Sequence, residues 1–206
     1  MSNRARLLEK LRTQSLTWGD FTLSSGAKSN HYFDCKLTTL DPEGACLVGE
    51  EMLAMVRTEA ERLGVKIEAI GGLTMGADPI ALAVGMTSWQ KTPEVALQVF
   101  NVRKSPKKHG KNKLIEGNFA SGMNVVVIDD VVTKGDATLQ AIAAVEEAGG
   151  KVVLVAVLVD RQEGGCDKIR GMGYQVAALI RKSELIPEGD AEGASSEAGR
   201  EAAVTA

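Results

Sequence analysis

Two adjacent carboxylates, Asp129 and Asp130, stand at the end of an apolar run and lead within three residues into Thr133-Lys134-Gly135-Asp136-Ala137-Thr138. Small residues and a glycine let successive backbone N–H groups point into one concavity. A helix that starts there adds the positive end of its dipole, so the segment reads as a phosphate cradle. The carboxylates suit a different role, accepting hydrogen bonds from sugar hydroxyls or holding a water of a hydrated Mg²⁺. A plainer alternative is that they only cap a loop. The spacing G-x-x-x-x-G-K-[ST] of a nucleotide phosphate loop is absent, and so is a dinucleotide fingerprint.

A second constellation is cationic. Between Arg103 and Lys113 lie six cations, Arg103, Lys104, Lys107, Lys108, Lys111 and Lys113, with His109 and without an acid, in a chain whose net charge is −3. Such concentration implies a local anionic partner. Nucleic acid fits poorly, because the segment has no aromatic residue for stacking and the remaining chain is acidic. A solvated basic loop is the bland reading. A pyrophosphate fits best, and a loop closing over it would also exclude water. Farther on, Arg161 follows the most continuous apolar strand, where its planar fork could take a carboxylate with two hydrogen bonds; a surface pair with Asp160 or Glu163 is the alternative.

These groups need elements to hold them. Ala5–Leu11 reads as a short amphipathic helix, and Leu16–Leu37 as two strands and a turn. Asp41-Pro42 opens a helix that runs to Leu63 and stops at Gly64. Strands over Ile67–Ile70, Val95–Val102, Asn124–Ile128 and Lys151–Val159 then alternate with helices over Ala77–Trp89 and Ala137–Ala148. Alternation of this kind predicts an α/β fold, a parallel sheet covered by helices on both faces, with the N-terminal hairpin outside it. In such sheets ligands gather at the carboxyl ends of the strands, where both constellations fall. Lys104–Lys113 reads as a mobile loop and the segment from Pro187 as a disordered tail, leaving residues 1–186 as one domain.

At 206 residues, 44% hydrophobic and 25% charged, the chain is a single globular domain by composition. Its acidic balance disfavours extended nucleic acid and anionic membranes as partners. No apolar run reaches bilayer length and the N-terminus has no targeting signal, so the expected compartment is the cytoplasm. Cys35, Cys46 and Cys166 match neither a zinc site nor a disulfide framework, and Met52 and Met55 read as core.

The run VVVIDDVVTKGDATLQA (125–141) resembles the 5-phosphoribosyl 1-diphosphate (PRPP) signature of the type I phosphoribosyltransferases. Four further segments are similar to the orotate phosphoribosyltransferases: FTLSSGAKSNHYFDCKL (21–37), GGLTMGADPIA (71–81), NVRKSPKKHGKNKLIEG (101–117) and VLVDRQEGG (157–165). The resemblance implies a type I phosphoribosyltransferase-like parallel sheet flanked by helices, with a small N-terminal hood to which residues 1–40 contribute. It implies Mg²⁺-dependent transfer of phosphoribosyl from PRPP to orotate, giving orotidine 5′-monophosphate and pyrophosphate in pyrimidine synthesis.

Carried over residue by residue, PRPP would meet Arg103, Lys104, Lys107 and His109 from the loop. It would also meet Asp129, Asp130, Val131, Val132, Thr133, Lys134, Gly135, Asp136 and Ala137 from the signature. Thr133 and Arg161 would hold orotate, and Asp129 and Asp130 would stabilise the ribose as the C1–O bond breaks. Lys107 would assist the leaving oxygen, and Mg²⁺ would ride on PRPP, touching Asp129 or Asp130 at most through water. A homodimer is implied, with the basic loop crossing to the neighbour's site. Rival readings are a phosphoribosyltransferase for another base, disfavoured by Arg161 with Thr133, and a PRPP-binding regulator, disfavoured by the intact basic loop. The chain departs from the family at Ser24 and at Thr74-Met75, where a lysine is expected, and Lys28 is a candidate to replace that charge. Asp136 is expected to face away as a helix cap, offset by Lys134. Gly26, Gly72 and Gly76 are assigned to tight turns. His31 and Tyr32 are either hood packing or base contacts.

Overall fold

The computed structural model describes residues 1–22, 28–105 and 114–186. In chain order the elements are α1 (Asn3–Lys10), β1 (Leu16–Thr22), β2 (Lys28–Phe33), α2 (Lys36–Thr39), α3 (Pro42–Leu63), β3 (Ala69–Leu73) and α4 (Ala77–Lys91). After these come β4 (Gln98–Val102), β5 (Ile115–Gly117), β6 (Asn124–Val132), α5 (Asp136–Glu147), β7 (Lys151–Asp160), α6 (Gly165–Gly171), β8 (Val176–Arg181) and α7 (Lys182–Leu185). β1 and β2 form a separate antiparallel pair, the hood. The other strands form one sheet in the order β5-β4-β3-β6-β7-β8, parallel except for the antiparallel edge strand β5.

Helix α3 shows how the sequence builds the scaffold. The Asp41 carboxylate accepts from the Gly44 N–H at 2.8 Å, Pro42 starts the helix, and Gly64, left-handed at φ 64°, ends it. A cap of this kind is worth about 1 kcal/mol. Leu47, Val48, Met52, Leu53 and Val56 form its buried face. Each such side chain contributes about 1.5–3 kcal/mol by leaving water.

Strand periodicity divides the core in two. On β6, Val126 and Ile128 join the core shared with α1, α3 and α4, whereas Val125 and Val127 join the core against α5 and α6. Because successive side chains alternate between faces, the two residues that follow are sent to opposite sides as well.

Several expected boundaries move. β6 continues to Val132, so Asp129 and Asp130 lie within the strand rather than beyond it. Val95–Leu97 is not strand, because Pro93–Val95 forms a 3₁₀ turn and the Leu97 N–H donates to the Ser88 hydroxyl. The strand expected at Ile67 starts at Ala69 and reaches Leu73. Gly72 sits inside that strand instead of in a turn. The expected tail from Pro187 and Gly26 lie outside the described residues. Cys35, Cys46 and Cys166 are free thiols, and Met52 is core as expected. No helix among the described residues is long and apolar enough to cross a membrane.

Candidate active site

The carboxyl ends of β3, β4 and β6 border a cleft of about 350 Å³ lined by Lys36, Thr74, Met75, Gly76, Lys104, Asp129, Asp130 and Ala137. The pleat of β6 gives the two carboxylates different environments. Asp129 points beneath α5, is buried, and accepts a 2.5 Å hydrogen bond from the Thr138 hydroxyl. Burial pushes its carboxyl up to about 7; the Thr138 hydroxyl opposes this and the neighbouring Asp130 charge adds to it. Asp130 points to the other face, half-buried, and accepts from the Val131 N–H at 3.0 Å. Its carboxylate rests directly on Gly76, where a Cβ would lie 2.6 Å from the Asp130 Cγ. Gly76 lies in the turn before α4 as expected, but its φ is an ordinary helical one, so it is this contact that requires glycine there.

After Val131 and Val132 the chain turns through Thr133 and Lys134 to Gly135, which caps α5 at φ 81°. No side chain among the described residues caps this helix, which leaves its first N–H groups available to an anion. Asp136 is exposed and is the first helical residue of α5, not the expected cap. Its charge is met by Lys168 Nζ at 2.6 Å, while Lys134 Nζ instead donates to the Glu163 carbonyl at 3.2 Å. The expected pairing of Lys134 with Asp136 is thus replaced, because α6 brings Lys168 closer to the exposed carboxylate.

Beside the cradle runs the loop after β7. Arg161 N–H donates to the Val132 carbonyl at 3.0 Å, and Gly165 N–H to the Thr133 carbonyl at 2.9 Å. Arg161 is 6% exposed and forms an ion pair with Glu163 at 2.9 Å. The pair with Glu163 of the plainer reading thus forms, but the guanidinium is buried and not at the surface. Its Nε has no hydrogen-bond partner among the described residues, which leaves a buried guanidinium donor unmatched.

Hood residues approach from above. His31 is buried between the rings of Trp18 and Phe33, and its Nδ1 lies 2.8 Å from Asn30 Oδ1. Burial and the charges of Lys182 and Arg161 bring it down to about 4, so it is neutral. Tyr32 is exposed beside Phe21. Lys28 lines a different cavity, with Asp20, Phe21, Ser29 and Asn30. The cations that share the cleft with Met75 are Lys36 and Lys104.

Of the basic segment, Lys104 lines the cleft of its own chain, and its carbonyl accepts from Gln140 Nε2 at 3.2 Å. Arg103 is half-buried, with its N–H on the Leu114 carbonyl. Lys107, Lys108, His109, Lys111 and Lys113, like Ser24, lie outside the described residues. The structure thus brings together Lys104, Asp129, Asp130 and Ala137 around one cleft, with Thr133 and Arg161 on the adjoining loop. Lys36 and Thr138 escaped the sequence reading: one comes from an unpatterned four-residue helix, and the other looks like an ordinary helix residue.

No protein-family model matches the chain. It is 40% identical over 185 residues to the orotate phosphoribosyltransferase of Rhodopirellula baltica, covering 89% of this chain and 95% of that one. It is 39% identical over 189 residues to the enzyme of the same name from Rhodopseudomonas palustris, covering 90% and 97%. Among solved structures, the orotate phosphoribosyltransferase of Mycobacterium tuberculosis in complex with PRPP superposes with a TM-score of 0.72 at 33% identity, covering 89% of this chain and 99% of that one. The adenine phosphoribosyltransferase of Saccharomyces cerevisiae shares the fold, with a TM-score of 0.60 at 16% identity and coverage of 85% and 99%.

Proposed function

The chain belongs to the orotate phosphoribosyltransferase family and transfers phosphoribosyl from PRPP to orotate, and from that premise we propose how its residues divide the reaction. The 5′-phosphate of PRPP sits on the open N–H groups at the start of α5, between Thr133 and Ala137. The ribose lies over Asp130. Orotate lies toward Arg161 and Thr133, and the pyrophosphate toward Arg103, Lys104, Lys107 and His109.

As the C1–O bond breaks and orotate N1, giving up its proton to solvent, joins C1, positive charge develops on the ribose, and the Asp130 side chain beneath it stabilises that charge. Asp129, buried with its carboxyl pushed up to about 7, acts at one remove by fixing Thr138 and the first turn of α5. Lys107 gives a proton or a hydrogen bond to the departing pyrophosphate oxygen. Among the described residues no group of three or more acidic, histidine or cysteine side chains forms a metal cage. The exposed part of Asp130 fits an ion carried by the substrate, and it would hold one water of that Mg²⁺. When bound, the ion neutralises the leaving pyrophosphate.

The observation that carries the choice of base is the buried Arg161 guanidinium with its unmatched Nε. A carboxylate answers that geometry, and orotate differs from uracil by one carboxylate. The test is to mix the protein with PRPP, Mg²⁺ and orotate, uracil, adenine or hypoxanthine in turn. Loss of orotate absorbance with release of pyrophosphate is expected, while turnover of another base in place of orotate would overturn the reading.

We also propose a homodimer. Leu82, Met86 and Trp89 form an exposed apolar stripe along α4, Trp89 at 61%, and a second copy would cover it. In that dimer Lys107 and His109 serve the neighbour's site. Three free thiols suit a reducing compartment, in keeping with a place in the cytoplasm.

A further inference from the structure

The cleft has two ends, and only one is explained by the cradle. With the 5′-phosphate on α5 and the ribose over Asp130, the pyrophosphate is left with the part bounded by Thr74–Gly76, Lys104 and Lys36. The Asp130 carboxylate already borders that part, so a diphosphate ester with up to three negative charges needs more than one cation there. Met75, which protrudes into solvent, brings none.

Lys36 is built to be that cation. It opens α2, and its ammonium lies 2.6 Å from Asp34 Oδ1, the same oxygen that accepts the Lys36 N–H at 3.1 Å. This small ring holds the side chain over the cleft at 38% exposure, accessible to a ligand. An ammonium has three donors and Asp34 takes one. The Asp34 carboxylate, and more weakly that of Asp130, raise its pKa, so it stays charged in the presence of acids.

We propose that Lys36 binds the pyrophosphate of PRPP from the hood side of the cleft, opposite Lys104, in place of any cation on the β3–α4 turn. This rests on the assignment of the cleft to PRPP. The competing role is structural: Lys36 would merely neutralise Asp34 and Asp130 and so hold the hood down.

Calorimetric titration of the full chain separates the two. PRPP, Mg²⁺-pyrophosphate and orotidine 5′-monophosphate, which has no pyrophosphate, are titrated into wild type, Lys36→Met and Lys36→Met/Met75→Lys. Losing a charge-assisted contact should weaken PRPP and pyrophosphate about ten- to a hundredfold. Orotidine 5′-monophosphate should change by less than about twofold, and the added lysine at position 75 should recover part of the loss. If Lys36→Met does not fold by circular dichroism, Lys36→Gln is read in the same way.

Unchanged PRPP affinity in the variant, an equal loss for orotidine 5′-monophosphate, or no recovery in the double variant would each overturn the proposal while leaving the function intact. Wild type that binds orotidine 5′-monophosphate but not PRPP would overturn the cleft assignment itself, and the proposal with it.

Discussion

Asp129→Asn changes a single buried group whose protonation the fold controls. In the folded chain the Asp129 carboxyl titrates at about 7, against an ordinary 3.8, because burial outweighs the hydrogen bond from Thr138. Between those values the folded chain keeps a proton that the unfolded chain has released. Stability therefore falls as pH rises through this window, by about 1.4 kcal/mol per pH unit. Below about pH 4 both states are protonated, and above about pH 7 both are ionised, so the penalty is then constant. From about pH 5 to about pH 8 the wild type should thus lose about 3 kcal/mol that an asparagine, similar in shape and never charged, does not lose. Urea unfolding of both proteins across that range, taken as a difference, removes the contributions of Asp41, Glu43 and Glu184. Those carboxyls are depressed by their partners and tilt the curve the other way. A difference that stays flat with pH would refute the reasoning, since Asp129 would then be ionised in the folded chain throughout. The same division of labour makes Asp129→Asn the milder lesion, with kcat/KM down about tenfold against about a thousandfold for Asp130→Asn.

Arg161→Gln should lower kcat/KM for orotate by about 2–4 kcal/mol while PRPP affinity measured by calorimetry barely moves; orotate kinetics within a factor of two of wild type would remove Arg161 from the base site. Gly76→Ala keeps an allowed backbone but drives a Cβ against the Asp130 carboxylate, so PRPP affinity should drop about tenfold or more with little change in Tm, as read by calorimetry and thermal unfolding. Trp89→Glu should shift sedimentation from dimer to monomer, and an unchanged dimer would move the interface off the α4 stripe. Mixing Lys107→Ala with Asp130→Asn subunits should restore about a quarter of wild-type activity if sites are shared, since about half the dimers are hybrids with one complete site each. No recovery despite proven subunit exchange would place the basic loop over its own site.

The parts legible in the sequence were those in which one segment carries the whole signal. Asp41-Pro42 and Gly64 mark both ends of α3, and the apolar run of β7 and the alternation of strand and helix identify the sheet, because caps and periodicities are set by neighbours along the chain. The cradle was readable for the same reason: its glycine, its small residues and the helix after it are contiguous. β5, with three residues, and β8, with a half-buried VAALIR, were invisible, since a strand that short becomes one only through the partner it pairs with. The pair Asp129-Asp130 shows the limit most clearly. Alternation along a strand says that the two side chains part, but which one α5 covers, and so whose carboxyl burial pushes up, depends on the layer packed on each face. Lys36 reaches the cleft from the hood, and Lys168 displaces Lys134 at Asp136 from a later helix, across 32 residues of chain. Such encounters depend on how distant segments pack to bury the two cores, and no local pattern encodes them.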